Sequence, residues 1–180
     1  MDTTAGDHAT IARQLCDARA WADLMDLAQR WHREDPANAR ALFYRGVALA
    51  GLGRFTEAET VYRQALERAP TDFKIWNNLA AILFEAMHRP LDAIRCMERA
   101  MTFEPENKLG WSNLASMVGQ LGRHEKAMEF ADRALALDPH MVEAHLHKAT
   151  AAQALGRADI VKEVCERLAS LETDRFRRTR

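Results

Sequence analysis

Apolar residues recur three and four positions apart through most of this chain, in segments of about 12 to 16 residues separated by short polar stretches. This is the period of amphipathic α-helices that each turn one face toward a core. The short runs of consecutive apolar residues fall inside these periodic segments, so no β-strand is predicted. The pattern indicates an all-α fold of ten helices in five pairs.

Two kinds of turn signal alternate along the chain and reveal an internal repeat. One is a proline after a polar phrase, recurring at intervals of 34, 35 and 34 residues. The other is the tripeptide Leu-Gly-Arg, whose glycine suits a turn that needs positive φ. The prolines are Pro36, Pro70, Pro105 and Pro139, and the tripeptides begin at Leu52, Leu121 and Leu155.

Three consecutive segments, residues 39–72, 73–107 and 108–141, resemble the tetratricopeptide repeat family, a 34-residue helix–turn–helix repeat. The match rests on small residues where paired helices cross closely and on a large residue early in the first helix. Those positions hold Gly46, Ala80 and Ala115, then Ala58, Ala93 and Ala127, then Ala65, Ala100 and Ala134, with Trp76 and Trp111 as large residues.

The resemblance implies a right-handed α-solenoid of about five stacked units in one domain, residues 1–174, followed by a basic tail, residues 175–180. The outer units, about 5–38 and 142–174, depart from the pattern, as terminal repeats often do. Trp31, for example, stands where the pattern favours alanine. The third unit is one residue longer, and we expect a slightly longer turn around Met87–Pro90.

Composition narrows the class of protein. The chain has 180 residues, 48% hydrophobic and 28% charged, which is typical of a folded soluble protein. Its net charge of -1 argues against general binding to nucleic acid. We expect no membrane span, and the start of the chain does not resemble a secretory signal. Three scattered cysteines (Cys16, Cys96 and Cys165) suggest reduced thiols, so we expect a cytoplasmic protein.

Residues for catalysis or metal binding are not evident. There is no nucleophile elbow, phosphate-binding glycine loop or helical zinc motif, so we expect neither enzymatic activity nor a cofactor. His140, His145 and His147 are close in sequence. However, His145 and His147 would lie about 200° apart on a helix and cannot bind one ion from one face. We interpret all three as surface histidines.

Peptide binding is the function that the resemblance favours, because the first helices of the family line a concave groove. The groove candidates that follow from it are Arg40, Phe43, Tyr44, Lys74, Asn77, Asn78, Phe84, Ser112, Asn113, Ser116 and His147, with Arg13 preceding them.

Two patterns among these residues suggest different ligands. Asn78 and Asn113 occupy the same repeat position, which resembles the asparagine ladder of O-linked N-acetylglucosamine transferase. An asparagine amide can donate to and accept from an extended peptide backbone. Only Lys74 and Asn78 fit the basic clamp of the chaperone cofactors in the family. Phe43, Tyr44 and Phe84 instead suggest apolar anchors for a mixed ligand.

The sequence therefore predicts a non-enzymatic adaptor or scaffold for a protein or peptide partner. Three alternatives stay open at this stage: a chaperone for a secreted or assembling client, a self-assembling structural protein, and a targeting subunit for a separate enzyme. Homo-oligomerisation is left open.

Overall fold

The structure, a computed structural model, describes the backbone of residues 3–178 and the side chains of residues 7–171 and 173. Within that range the regular secondary structure is entirely helical, with no strand, so the predicted all-α class is confirmed. The ten α-helices are α1 (Thr3–Asp17), α2 (Trp21–Glu34), α3 (Ala39–Gly51), α4 (Phe55–Arg68), α5 (Phe73–Ala81), α6 (Pro90–Phe103), α7 (Lys108–Gln120), α8 (His124–Leu137), α9 (Val142–Ala154) and α10 (Ala158–Arg178).

Consecutive helices pair as antiparallel hairpins, because each pair is joined by a short turn that reverses the chain. Gly53, Gly122 and Gly156 have φ values of 76°, 74° and 71°, so three of these turns use glycine in the left-handed region, as predicted. The turns before α2 and α6 use Arg19 and His88 instead, both with φ of 53°. These two turns have no glycine signal in the sequence.

The extra residue of the third repeat does not lengthen its turn, contrary to our expectation. It widens the end of the first helix into a π-helical segment, Ile82–Ala86. The Arg89 N–H donates to the Leu83 carbonyl six residues earlier, whereas Arg54 and Arg123 donate to Leu49 and Val118 five residues earlier. In each case the left-handed residue directly precedes the arginine, so the turn itself keeps its length.

Asparagine or aspartate caps begin three of the first helices. The side chains of Asn38, Asp72 and Asn107 accept backbone N–H bonds at the starts of α3, α5 and α7. Each cap satisfies amide groups that have no partner inside the helix, and it fixes where the helix begins. The caps therefore set the register of the positions that carry the candidate groove residues.

The chain forms two compact units, Met1–Cys96 and Met97–Arg180, and the boundary falls within α6. The single domain of residues 1–174 stays a prediction. Helix α10 continues to Arg178, so the backbone of residues 175–178 is helical. The last two residues of the predicted basic tail lie outside the described part of the chain.

The core of the first unit is packed closely around aromatic rings. Trp31, only 3% exposed, lies between His8 and Tyr44, with ring centroids 5.3 and 6.2 Å away. A Cβ atom on Gly46 would lie 2.5 Å from Cε1 of Tyr62, so this crossing of α3 and α4 requires glycine. The predicted role of a small residue there is confirmed.

The core of the second unit is built from small and aliphatic side chains. Leu114 and Val118 of α7 are fully buried, as are Ala131 and Ala134 of α8. Ala134 also belongs to a buried cluster with Met141 and Ala144, against which Trp111 and Leu135 pack. Alanines on α8 allow α7 and α9 to approach it closely.

Candidate protein-interaction surface

The first helices of the first unit present positive charge to solvent. Arg40 and Lys74 both stand one residue after the start of their helices, α3 and α5, and both are exposed. Among the described residues, no carboxylate forms an ion pair with Arg40, Lys74 or Arg13 of α1. Arg13 makes only a 3.5 Å contact with the Thr10 hydroxyl.

Tyr44 lies beneath this surface rather than on it. It is 9% exposed and contacts the rings of Trp31 and Phe43, the second at 5.1 Å. Burial raises the pKa of its phenol, as does the nearby Cys16, while the positive charges of Arg13 and Arg40 act in the opposite direction.

Phe43 is the more accessible of the two neighbouring rings. It is half-buried, and it tilts over Tyr62 at a centroid distance of 6.3 Å. Phe84 is half-buried on the π-helical segment. Of the three predicted aromatic anchors, Tyr44 contributes mainly to packing, and Phe43 and Phe84 keep part of their rings exposed.

In the first unit, two asparagines lie after the cationic Lys74 along helix α5. Asn77 and Asn78 are both half-buried on α5. The Asn78 amide Nδ2 donates to the Lys74 carbonyl at 2.8 Å, which holds the side chain along its own helix. Asn113, its counterpart in the next repeat, is half-buried on α7 in the second unit. The two-rung asparagine ladder stays a prediction.

In the second unit, Leu109 and Glu143 occupy the positions of Arg40 and Lys74, and neither is cationic. The other groove candidates of that unit lie further along α7 and α9. Ser112 is 3% exposed and therefore lies in the core. Ser116 is half-buried, and its hydroxyl accepts a 3.3 Å bond from Gln120. His147 is half-buried too, and burial lowers its pKa, with Glu143 opposing the shift.

Two exposed leucines stand beside these polar residues. Leu109 of α7 and Leu146 of α9 are 53% and 50% exposed. Sequence reasoning missed Leu146, because it follows a histidine and precedes another in a helix with little apolar periodicity. Comparing repeats position by position would have found it, since it occupies the place of Phe43.

The described residues hold neither a metal-binding cluster nor a membrane-spanning helix. No three histidine, cysteine, aspartate or glutamate side chains there are placed to hold a metal ion. His145 is buried, so the interpretation of that residue as a surface histidine is wrong. None of the described helices combines the length and apolar character needed to cross a membrane.

Helical hairpins that repeat every 34 or 35 residues define a class of helical repeat proteins. Comparison of the sequence with protein-family models identifies the family. Models of the tetratricopeptide repeat match residues 39–72, 61–95 and 110–141. The chain belongs to the tetratricopeptide repeat family, whose members mediate protein–protein interactions.

Similar proteins include two curated relatives and several solved structures. The chain is 32% identical over 95 residues to the Hsp70-Hsp90 organizing protein of Triticum aestivum, a match over 53% of this chain. The chain spans 16% of the length of the curated relatives it matches.

Two solved structures show the same fold over nearly the whole chain. MamA from Desulfovibrio magneticus RS-1 has a TM-score of 0.80 and 21% identity, covering 97% of this chain and 98% of its own. PilW, a type IV pilus biogenesis factor, has a TM-score of 0.81 and 18% identity, covering 96% and 80%. At this level of identity, the likeness concerns the fold alone.

Proposed function

We propose that this chain is a non-enzymatic adaptor that binds a segment of a partner protein in a groove formed by the first helices of the first unit, α1, α3 and α5. The segment carries acidic side chains together with an apolar or aromatic residue. The carboxylates engage Arg40 and Lys74, and the apolar residue packs on Phe43. A cytoplasmic location, and binding to protein rather than to nucleic acid, belong to the same proposal.

The observation that carries the proposal is the contrast between paired and unpaired charges in the first unit. On α4, on α6 and in the turn before α6, the side chains of Glu59, Arg63, Arg89 and Asp92 form a network of ion pairs with nitrogen–oxygen distances of 2.8 Å. Arg40 and Lys74 have no such partners among the described residues. Exposed cations beside a partly exposed ring suit a ligand of opposite charge with an apolar anchor.

The proposal is tested by displaying random peptides on phage and selecting them on the full-length chain. We expect the wild-type protein to enrich peptides with acidic residues near an aromatic or aliphatic one. The double variant Arg40→Glu/Lys74→Glu should lose the acidic preference, because the surface then repels carboxylates. Exposed substitutions of this kind usually change stability by less than about 0.5 kcal/mol.

The matched control is Arg68→Glu/Arg95→Glu, which makes the same change in net charge at exposed positions of α4 and α6. It should enrich the same peptides as the wild type. An acidic preference that survives Arg40→Glu/Lys74→Glu would show that these cations do not select the ligand.

A second candidate, self-association, is favoured by the exposed apolar residues of the second unit. Leu109, Val142 and Leu146 are 53%, 45% and 50% exposed. Apolar patches of this kind often mark protein interfaces. Light scattering of the full chain distinguishes the two functions, because self-association gives a mass that rises with concentration and an adaptor for another protein stays monomeric.

A further inference from the structure

The fourth repeat stacks aromatic rings between its first and second helices. The Trp111 ring of α7 lies 5.6 Å from the ring of Phe130 on α8. The guanidinium carbon of Arg133 stands 4.7 Å from the centroid of the Trp111 ring. The indole N–H of Trp111 donates to the Pro105 carbonyl at 2.8 Å. Rings and cation together fill this part of the repeat.

The fifth repeat has smaller side chains at the same positions. Thirty-four residues further on, His145 replaces Trp111, Val164 replaces Phe130, and Arg167 keeps the place of Arg133. A cavity of about 400 Å³ lies here, in the size range of small-ligand pockets. It lies within the second unit and is lined by Leu135, Pro139, His145, Lys148, Glu163, Val164, Glu166 and Arg167.

His145 keeps the bond of the tryptophan it replaces but leaves an acceptor without a donor. Its Nε2 lies 3.1 Å from the Pro139 carbonyl oxygen, and that bond requires the proton to be on Nε2. The other ring nitrogen, Nδ1, is then an acceptor, and it is buried with no hydrogen-bond partner among the residues that the structure describes. The side chain is 7% exposed. Nδ1 is enclosed by protein atoms, so the His145 ring forms a wall of the cavity and offers no accessible hydrogen-bonding group there.

Lys148 does not complete the bonding of His145. Its ammonium pairs with Asp132 of α8 at 2.8 Å, and this ion pair holds the side chain at the edge of the cavity. Glu163 and Arg167 of α10 are exposed. Charged groups thus surround an opening whose deeper wall includes Val164, Leu135 and the His145 ring.

We propose that this cavity receives an aromatic side chain from a partner protein. The ring takes the space that Trp111 and Phe130 fill one repeat earlier. Arg167 stacks on it as Arg133 stacks on Trp111, an arrangement that is favourable when partly desolvated.

This site is separate from the groove of the adaptor proposal. His145 and His147 point about 200° apart around α9, so the cavity and the groove position His147 occupy different faces of that helix. Binding in the cavity therefore does not depend on Arg40 or Lys74, and the two proposals can fail independently.

The test uses N-acetyl-L-tryptophanamide as the probe, added to the isotopically labelled full chain and followed by NMR. We expect saturable shifts of the backbone amides of Leu135, His145 and Val164. Arg167→Gln should weaken binding about tenfold by removing the stacked cation. Arg133→Gln, the same change one repeat earlier, should leave the affinity unchanged.

The cavity itself is tested by filling it. His145→Trp/Val164→Phe rebuilds the side chains of the fourth repeat and should abolish the saturable shifts while circular dichroism still shows a folded helical protein. Val164→Phe alone replaces the double variant if that variant does not fold. Saturable binding that persists in a folded filled variant, or no binding by the wild type, would overturn the proposal.

Two further probes establish what the site recognises. N-acetyl-cyclohexylalaninamide, which has a ring of similar size but neither aromatic character nor a ring donor, should bind at least about tenfold more weakly. Equal binding of this probe would contradict recognition of an aromatic ring. Free indole should not bind more tightly than the amide, and tighter binding would indicate a small-molecule ligand in place of a partner's side chain.

Discussion

A single methyl group at residue 46 would collide with a ring that has no room to move. The Cβ atom of an alanine there would lie 2.5, 2.7 and 2.9 Å from three ring carbons of Tyr62. Tyr62 is 1% exposed, and burial raises the pKa of its phenol well above the usual value. The ring is therefore enclosed on the side away from Gly46 as well.

We predict that Gly46→Ala destabilises the protein. Overpacking of this kind typically costs about 1–3 kcal/mol. Alanine has the better helix propensity, which stabilises the folded state by about 1 kcal/mol at most, so the cost of the collision is larger. Urea unfolding followed by circular dichroism measures the difference.

Gly119→Ala is the matched control, because Gly119 also lies in a first helix. The nearest atom to its added Cβ would be Cβ of Ala127 at 3.4 Å, an ordinary contact. We expect unchanged or slightly higher stability. A loss as large as that of Gly46→Ala would mean that helix geometry, rather than the Tyr62 ring, requires the glycine.

Side-chain burial was the part of the candidate site that the sequence did not reveal. Helical spacing places Tyr44 and Ser112 on the surface of the first helices, yet both are buried. Tyr44 packs under its neighbours because Trp31 occupies an alanine position and extends toward it. The periodicity of one helix does not reveal that a ring from another helix covers one of its side chains.

At the scale of the element, the π-helical segment explains how the third repeat accommodates its extra residue. The N–H of Arg89 bonds six residues back, to Leu83, whereas the corresponding bonds of Arg54 and Arg123 span five. Leu83 itself is fully buried, like Leu49 and Val118 at the equivalent positions. The insertion therefore lies after the last core residue of the helix, where it disturbs no packing upstream.

We predict that deleting Glu85 leaves the protein folded and about as stable. The deletion shortens the Arg89–Leu83 bond to the five-residue span of the other repeats and removes an exposed side chain. It should convert the π-helical segment to regular α-helix. Thermal unfolding by circular dichroism gives the stability, and NMR chemical shifts of residues 82–86 report the helix type.

Deleting Gln120 provides the contrast, since it is exposed near the end of α7. The fourth repeat has no spare residue, so this deletion would place the turn glycine out of register. We expect a marked fall in melting temperature. Equal tolerance of both deletions would show that the turns adjust by themselves and that the π-helical segment holds no surplus residue.

Helix positions were largely predictable because prolines and Leu-Gly-Arg tripeptides punctuate the sequence. The turns at Arg19 and His88 were harder, since neither residue signals positive φ. The location of the extra residue was not predictable, because a widened helical turn and a longer loop have the same length in sequence.

At the scale of the whole molecule, stability in repeat proteins comes from contacts within repeats and between neighbours. We predict that Gly46→Ala speeds amide hydrogen exchange mainly in the Met1–Cys96 unit, to which α3 and α4 belong. Amides of α8 and α9 should change much less. Mass spectrometry of exchanged peptides measures this, and a uniform increase along the chain would instead indicate one cooperative fold.

Ring nitrogens on three first helices bond to the carbonyl of the proline that ends the preceding repeat. Trp76 reaches Pro70, Trp111 reaches Pro105, and His145 reaches Pro139. Every residue has a backbone carbonyl, so this hydrogen bond requires only that the first helix carries a ring with a nitrogen at that position. In evolution, whole repeats could therefore be duplicated or lost without losing this hydrogen bond. The number of repeats is thus freer to change than the number of residues within each repeat.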